Sequence, residues 1–283
     1  MKTTRFVVAG ALCAWILLAA QVLAAETYSG SWTLRPSESP GKVSFGLVYR
    51  RGNNNMNHES DWPSDAFQGL DLEQRGKHDV QFAVAREAGR FDCEGYLNNG
   101  VGAGVFLFTP EARFTKAMAD LGFGGIDEHL QFAMATVDVT TEFARQMKAE
   151  KLVGLTTDKL MALRIFGVTP EYLREMRAEG LPMTDTDKVI AFRVHGIEAS
   201  RVRAFKKLGI DADENQLVAM QVHGATPEWL AEMRKTFGDL DVDKLIAMRV
   251  HGVTPEYIAH MKSRGLKDLS VDKLIEMRVH GID

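Results

Sequence analysis

The chain has 283 residues and a mass of 31.4 kDa, with 45% hydrophobic and 25% charged residues. That is enough for two folded domains and argues against disorder. Its 34 basic and 38 acidic residues give a formal charge of −4, which speaks against a nonspecific nucleic-acid binder or a polybasic membrane surface.

Lys2 and Arg5 precede an apolar run from Phe6 to Leu23, and small residues surround Ala24 and Ala25. This pattern predicts a secretory signal peptide over residues 1–25, cut after Ala24 or Ala25. The competing reading is an uncleaved anchor, because the run nears the length of a spanning helix. Leu12 stands before Cys13 where a lipoprotein cysteine follows a small residue, so lipidation is not expected. Cleavage leaves 32 basic against 38 acidic residues, a charge of −6, and Cys93 as the one thiol. A periplasmic or secreted (bacterial) protein that cannot form an internal disulfide is expected, with no transmembrane segment once the leader is gone.

Residues 26–110 read as an antiparallel β domain. Val43, Phe45, Leu47 and Tyr49 fall on one face at a period of two, as do Val80, Phe82 and Val84, and then Phe91, Cys93 and Leu97. Such a period of two marks half-buried strands. Ala88-Gly89 and Asn98-Asn99-Gly100 supply hairpin turns, so a small meander is predicted. Residues 51–78 are polar and rich in Asn, Asp and Gly, and most of this stretch is expected to be a long loop with one short helical turn. Glu59, Asp61, Asp65 and Asp71 in it would suit calcium, but lack a calcium-loop spacing, so a solvated loop is preferred. Trp62, a large aromatic among polar residues, either packs over the sheet or waits for a ligand. Cys93 would be a nucleophile with His58 or His78 as partner, yet its place on the apolar face favours a core thiol. Gly100, Gly102 and Gly104 follow a turn in a strand and lack the helix of a nucleotide fingerprint.

Residues 111–283 read as an α-solenoid of helix pairs, about six, repeating every 28–29 residues, so that the fold class is α+β. Gly167, Gly196, Gly224, Gly252 and Gly281 mark the period, with Asp138 one period earlier. Thr169-Pro170-Glu171, Thr226-Pro227-Glu228 and Thr254-Pro255-Glu256 are start signals: a capping hydroxyl, a proline that loses nothing at the first position, and a carboxylate at the positive dipole end. Each first helix carries an aromatic–aliphatic–methionine stripe such as Tyr257, Ile258 and Met261. Each second helix carries Leu-Ile-x-Met-x-Val or a variant, such as Leu245, Ile246, Met248 and Val250, and is expected to be covered on two sides. Ala162, Ala191, Ala219 and Ala247 are matched by Glu276 in the final unit, which predicts Ala247 buried and Glu276 exposed.

His195, His223, His251 and His280 stand just before a glycine, where Phe166 occupies the place in an earlier unit. Glycine suits the left-handed residue after a helix, and histidine there meets the terminal carbonyls. A metal row or a pH sensor is the alternative. Parallel copies about 8–10 Å apart do not converge on one ion, whose ligand atoms stand about 2 Å away. Arg164, Arg193, Arg249 and Arg278, with Gln221 breaking the row, serve the dipole or a neighbouring unit; a basic ladder for an acidic peptide is the other reading. No His-Glu-x-x-His, Gly-x-Ser-x-Gly or phosphate-loop pattern occurs, so no catalytic residue, cofactor or metal is assigned.

RFDCEGYLNNGVGAGVFLFTPEARF (90–114), followed by units such as DKLIAMRVHGVTPEYI (243–258), resembles uncharacterised bacterial exported repeat proteins. It is also similar to segments attached to membrane metallopeptidases of the beta-lactam-sensor type. The peptidase motif is missing here, so the resemblance implies an envelope-associated sensing or interaction module. The expected function is non-enzymatic binding of a protein or peptide through the repeat surface, the β domain or both. Trp62, the four arginines and the four histidines are the candidate contact residues. The alternatives are an enzyme with its site between the β domain and the first helices, and a structural spacer.

Overall fold

The computed structural model describes residues 28–51, 54–267 and 269–282; the leader and its cleavage site lie outside them. The strands are β1 (Tyr28–Pro36), β2 (Lys42–Arg51), β3 (Asn54–Pro63), β4 (Phe67–Gln68), β5 (Lys77–Arg86), β6 (Gly89–Asn98) and β7 (Val101–Pro110). They form one antiparallel sheet in the order β3-β2-β1-β7-β6-β5-β4. Two meanders are thus joined through β1 and β7, rather than one running through the whole domain. The stretch expected to be a loop holds β3, which pairs with β2 along its whole length, from Lys42 opposite Pro63 to Arg51 opposite Asn54.

β3 and β4 are the two sheet edges, yet only the 3-10 turn Ser64–Ala66 separates them in the chain. Four Cα steps reach at most about 15 Å, whereas seven flat strands would span about 29 Å. The sheet therefore curls into a nearly closed barrel. Phe45 of β2 stands 6.2 Å from Phe82 of β5, ring centre to ring centre, across its interior. Trp32 lies flat in this interior against β6 and β7, with its Nε1 donating to the Glu94 carbonyl at 3.1 Å. A Cβ added at Gly95 or Gly104 would come within 2.7 Å of that indole. The glycines clear space for Trp32; they do not cradle a phosphate.

The helices follow as α1 (Ala112–Asp120), α2 (Glu128–Thr136), α3 (Thr141–Ala149), α4 (Thr157–Ile165), α5 (Pro170–Ala178), α6 (Thr186–Val194), α7 (Ala199–Lys207), α8 (Glu214–Val222), α9 (Pro227–Phe237), α10 (Val242–Val250), α11 (Pro255–Ser263) and α12 (Val271–Val279). Threonine caps start α5, α9 and α11, accepting from Tyr172, Trp229 and Tyr257 N–H at 3.1, 3.2 and 3.2 Å. Even-numbered helices stack on even and odd on odd, which makes a two-layered solenoid. Leu160, Leu217, Leu245 and Leu274, with Met220, Met248 and Met277, fill the space between the layers.

α2 closes one end of the barrel. Phe132 is fully buried against Tyr28, Tyr49, Phe91, Phe106 and Phe108, at centroid distances of 5.6, 5.4, 5.9, 5.9 and 5.2 Å. Gln131 Nε2 donates to the Ala88 and Glu111 carbonyls at 2.7 and 2.8 Å, and Arg86 and Arg164 both pair with Asp138 at 3.2 Å. The junction between barrel and helices is filled with side chains.

Candidate functional site

Each His-Gly phrase closes an even helix as a Schellman motif. In α6, Ile197 N–H donates to the Phe192 carbonyl at 2.8 Å and Gly196 N–H to that of Arg193 at 3.1 Å. Gly196 has φ +65°, a conformation that costs a residue with a Cβ about 1–2 kcal/mol. The same six-to-one bond recurs from Val168, Ala225, Val253 and Ile282. The cap therefore belongs to the glycine and the aliphatic after it, which is buried in every one of these units but the last, where Ile282 is exposed. His195 and His251 are half-buried and His223 and His280 exposed at the cap positions.

It is arginine, not histidine, that reaches the terminal carbonyls. Arg164, Arg193, Arg249 and Arg278 donate from Nε to Val137, Phe166, Gly224 and His251 carbonyls of the preceding layer, at 3.2, 2.9, 2.9 and 3.2 Å. Each guanidinium also lies over the aromatic of its neighbouring odd helix: Phe143, Tyr172, Trp229 and Tyr257, at 5.5, 4.7, 5.4 and 4.7 Å from the ring centres. Such a clamp joins two layers through a charged donor and a cation–π contact. Gln221 breaks the row because the pair is exchanged there: Arg201 occupies the aromatic's place in α7 and its Nη1 donates to the Gln221 Oε1. The arginine row is thus engaged in construction and is not free for an acidic peptide.

What construction leaves over is aliphatic. Ile165, Val194, Val222, Val250 and Val279 are the last residues of α4, α6, α8, α10 and α12, and they are 53, 49, 53, 47 and 58% exposed. One turn earlier on the same face stand the half-buried Met161, Ile190, Val218, Ile246 and Ile275. Residues four apart lie on one side of a helix, so each even helix presents a two-residue rung and the stack makes a ribbon. The expectation of even helices covered on two sides is corrected: the Leu and Met face is buried and the Ile and Val face is open. Ala247 and Glu276 flank the same face: Glu276 is exposed as expected, whereas Ala247 is half-buried rather than buried. The glutamate is accommodated because the face is solvated.

One period before Met161 and Ile165 come Phe132 and Thr136, the corresponding rung of α2. These two are buried, and the barrel's rings cover Phe132. The face open on five even helices is therefore the face that carries the chain's own inter-domain contact on the sixth. The repeated valine had a signal in the sequence, since a β-branched residue kept at an exposed helix end gains nothing in helix propensity.

The other sequence candidates sit elsewhere. Trp62 is 2% exposed inside the barrel, its Nε1 bonded to Ser60 Oγ at 2.8 Å and Arg86 lying 4.2 Å from its ring centre. Its ring packs in the core and offers no surface. Burial and, less, Asp92 push the Cys93 thiol up to about 12, which leaves no thiolate for nucleophilic chemistry at neutral pH. Glu59 is held below the usual carboxylate range by the Ser44 hydroxyl and then Arg35, while Asp61 and Asp71 accept from Ser39 and the Glu73 N–H at 3.1 and 2.9 Å. Among the described residues no three His, Cys, Asp or Glu side chains gather as a metal site, and no helix is long and apolar enough to cross a membrane. A groove of about 860 Å³ lies on the sheet's outer side, where Arg90 and Asp92 pair with each other at 2.7 Å.

No family model, curated protein or solved structure matches this chain.

Proposed function

We propose that the chain is a non-enzymatic, exported interaction module that holds a protein or peptide partner along the ribbon of its even helices, in the bacterial periplasm or outside the cell. The single observation that carries this reading is the face shared by α2 and the later even helices: covered by the barrel at Phe132, open from Met161 to Val279. A contiguous exposed apolar strip of several hundred Å² marks an interaction surface on a soluble protein, and stacked repeats offer an extended seat. The signal-like leader and the resemblance to exported repeat proteins support an envelope role. An enzyme with its site between barrel and helices is less well supported, since Phe132, Gln131 and the Arg86–Asp138–Arg164 network fill that space.

Photo-crosslinking tests the reading directly. A benzophenone amino acid placed at Val194, Val222 or Val250 in cells expressing the full chain should yield the same discrete adducts. The same probe at Arg174 or Glu232, exposed on the odd helices, should yield none. Equal adducts from both layers, or none from the ribbon, would sink the proposal.

A further inference from the structure

The period of the ribbon says what conformation its occupant has. We infer that the partner segment is an extended polyproline-II-like stretch bearing an apolar side chain at every third residue; this rests on the ribbon being the binding surface. Packed helices lie about 8–10 Å apart, so rungs formed by Ile165, Val194, Val222, Val250 and Val279 recur at that interval along the stack. A polyproline II strand rises about 3.1 Å per residue with three residues per turn, so residues i, i+3 and i+6 share one side at about 9.3 Å. A β-strand places same-side residues at about 6.7 and 13 Å, and an α-helix repeats one face about every 5.4 Å. Of these three, only the threefold extended strand keeps step with the rungs over five helices.

The occupant's side chains are fixed by the contact the face already makes. At α2 the rung residue Phe132 is met by tyrosine and phenylalanine rings, with no ion pair among them. Apolar rings or branched aliphatics are accordingly the matching groups for Ile190, Val218 and Ile246. Two charged pairs beside the ribbon join successive layers, Lys159 with Asp187 at 2.7 Å and Lys244 with Asp272 at 3.4 Å, and the arginines that flank it are engaged in the clamps. The rim thus presents neutralised pairs to the polar residues between the partner's apolar ones. The occupant is a polypeptide segment of low net charge, of about 13 residues for five rungs at three residues each.

The test uses the chain without its leader and three fluorescein-labelled peptides of about 17 residues and identical composition, five Leu among Pro and Gln, with the leucines spaced at every third, every second or every fourth position. Fluorescence anisotropy should show the every-third peptide binding at least about tenfold tighter than the other two. Val222→Asp should weaken it by about tenfold or more with unchanged circular dichroism, while Val153→Asp, at an exposed valine off the ribbon, should not. Equal affinities for the three spacings, all weakened by Val222→Asp, would overturn the register and leave the ribbon as a binding surface. No peptide binding while Val222 crosslinks persist would overturn the peptide as occupant. Light scattering that shows a dimer dissociated by Val222→Asp would assign the ribbon to a second copy and overturn it equally. Indifference of every readout to Val222→Asp would defeat the function as well.

Discussion

The exchanged pair in the middle of the solenoid makes the clamp testable. In the Tyr172/Arg193, Trp229/Arg249 and Tyr257/Arg278 layers the aromatic comes from the odd helix and the arginine from the even one; in the α7/α8 layer Arg201 and Gln221 stand in those places. Arg201→Tyr alone removes a charged donor from the half-buried Gln221 amide, a loss of about 1.5–3 kcal/mol for a hydrogen bond to a charged group. Gln221→Arg alone brings two guanidinium groups together, costing about 1 kcal/mol at a partly solvated site. The double variant rebuilds the clamp of the other layers and regains a cation–π contact of about 0.5–2 kcal/mol. It also lets the new arginine reach the His195 carbonyl, which ends the preceding even helix. The coupling energy from a double-variant cycle should therefore be about 2.5–4 kcal/mol, with the double variant near wild type. Urea unfolding followed by tryptophan fluorescence reports it, since Trp229 sits in the next layer. Additivity within about 0.5 kcal/mol would refute the clamp as a unit of construction.

Two further outcomes follow from the barrel. Phe132→Ala removes a fully buried ring with five aromatic neighbours and should cost about 3–5 kcal/mol, read as a barrel transition in urea that separates from the helical one; one unchanged cooperative transition would contradict the plug. His58, half-buried beside Ser60 Oγ at 3.0 Å, is held below its ordinary value by burial. The folded chain therefore resists a proton that the unfolded chain accepts. Its contribution is fully present above about pH 6.5 and is lost as pH falls through the folded value. The barrel's urea midpoint should drop between pH 7 and 5, and His58→Gln should flatten that drop; an equal slope in the variant would exclude His58 as its cause.

Local rules carried the repeat. Caps, the proline after them and the left-handed glycine act within a few residues, so the boundaries of the helix pairs were readable from Thr169, Thr226, Thr254 and the glycine series. β3 was hidden because an edge strand at the barrel's lip has polar residues on both sides: His58 and Ser60 inward, Asn57, Glu59 and Asp61 outward, with only Trp62 to signal a core. Gly95 of β6 and Gly104 of β7 answer to Trp32, which lies some sixty to seventy residues earlier. No local pattern records that dependence. The even-helix face was misjudged for a related reason, because an isoleucine and a valine read as buried wherever their neighbours are buried, and only stacking reveals which side remains uncovered.

That same stacking explains why construction and recognition occupy different columns of the repeat. The glycine, the arginine and the odd-helix aromatic touch the adjacent layer, so a change in one requires a change in another, as Arg201 and Gln221 illustrate. The terminal aliphatic of α4, α6, α8, α10 and α12 stands outside these clamps and is about half exposed. A surface position free of the lattice can be polar at no structural cost, and water favours that choice by about 25 cal/mol for each Å² of apolar area left uncovered. Five β-branched aliphatics in register at such positions therefore require another reason. At α2 the reason is visible, since the corresponding rung is where the barrel sits; for the other five the reason we propose is a partner that spans several layers at once.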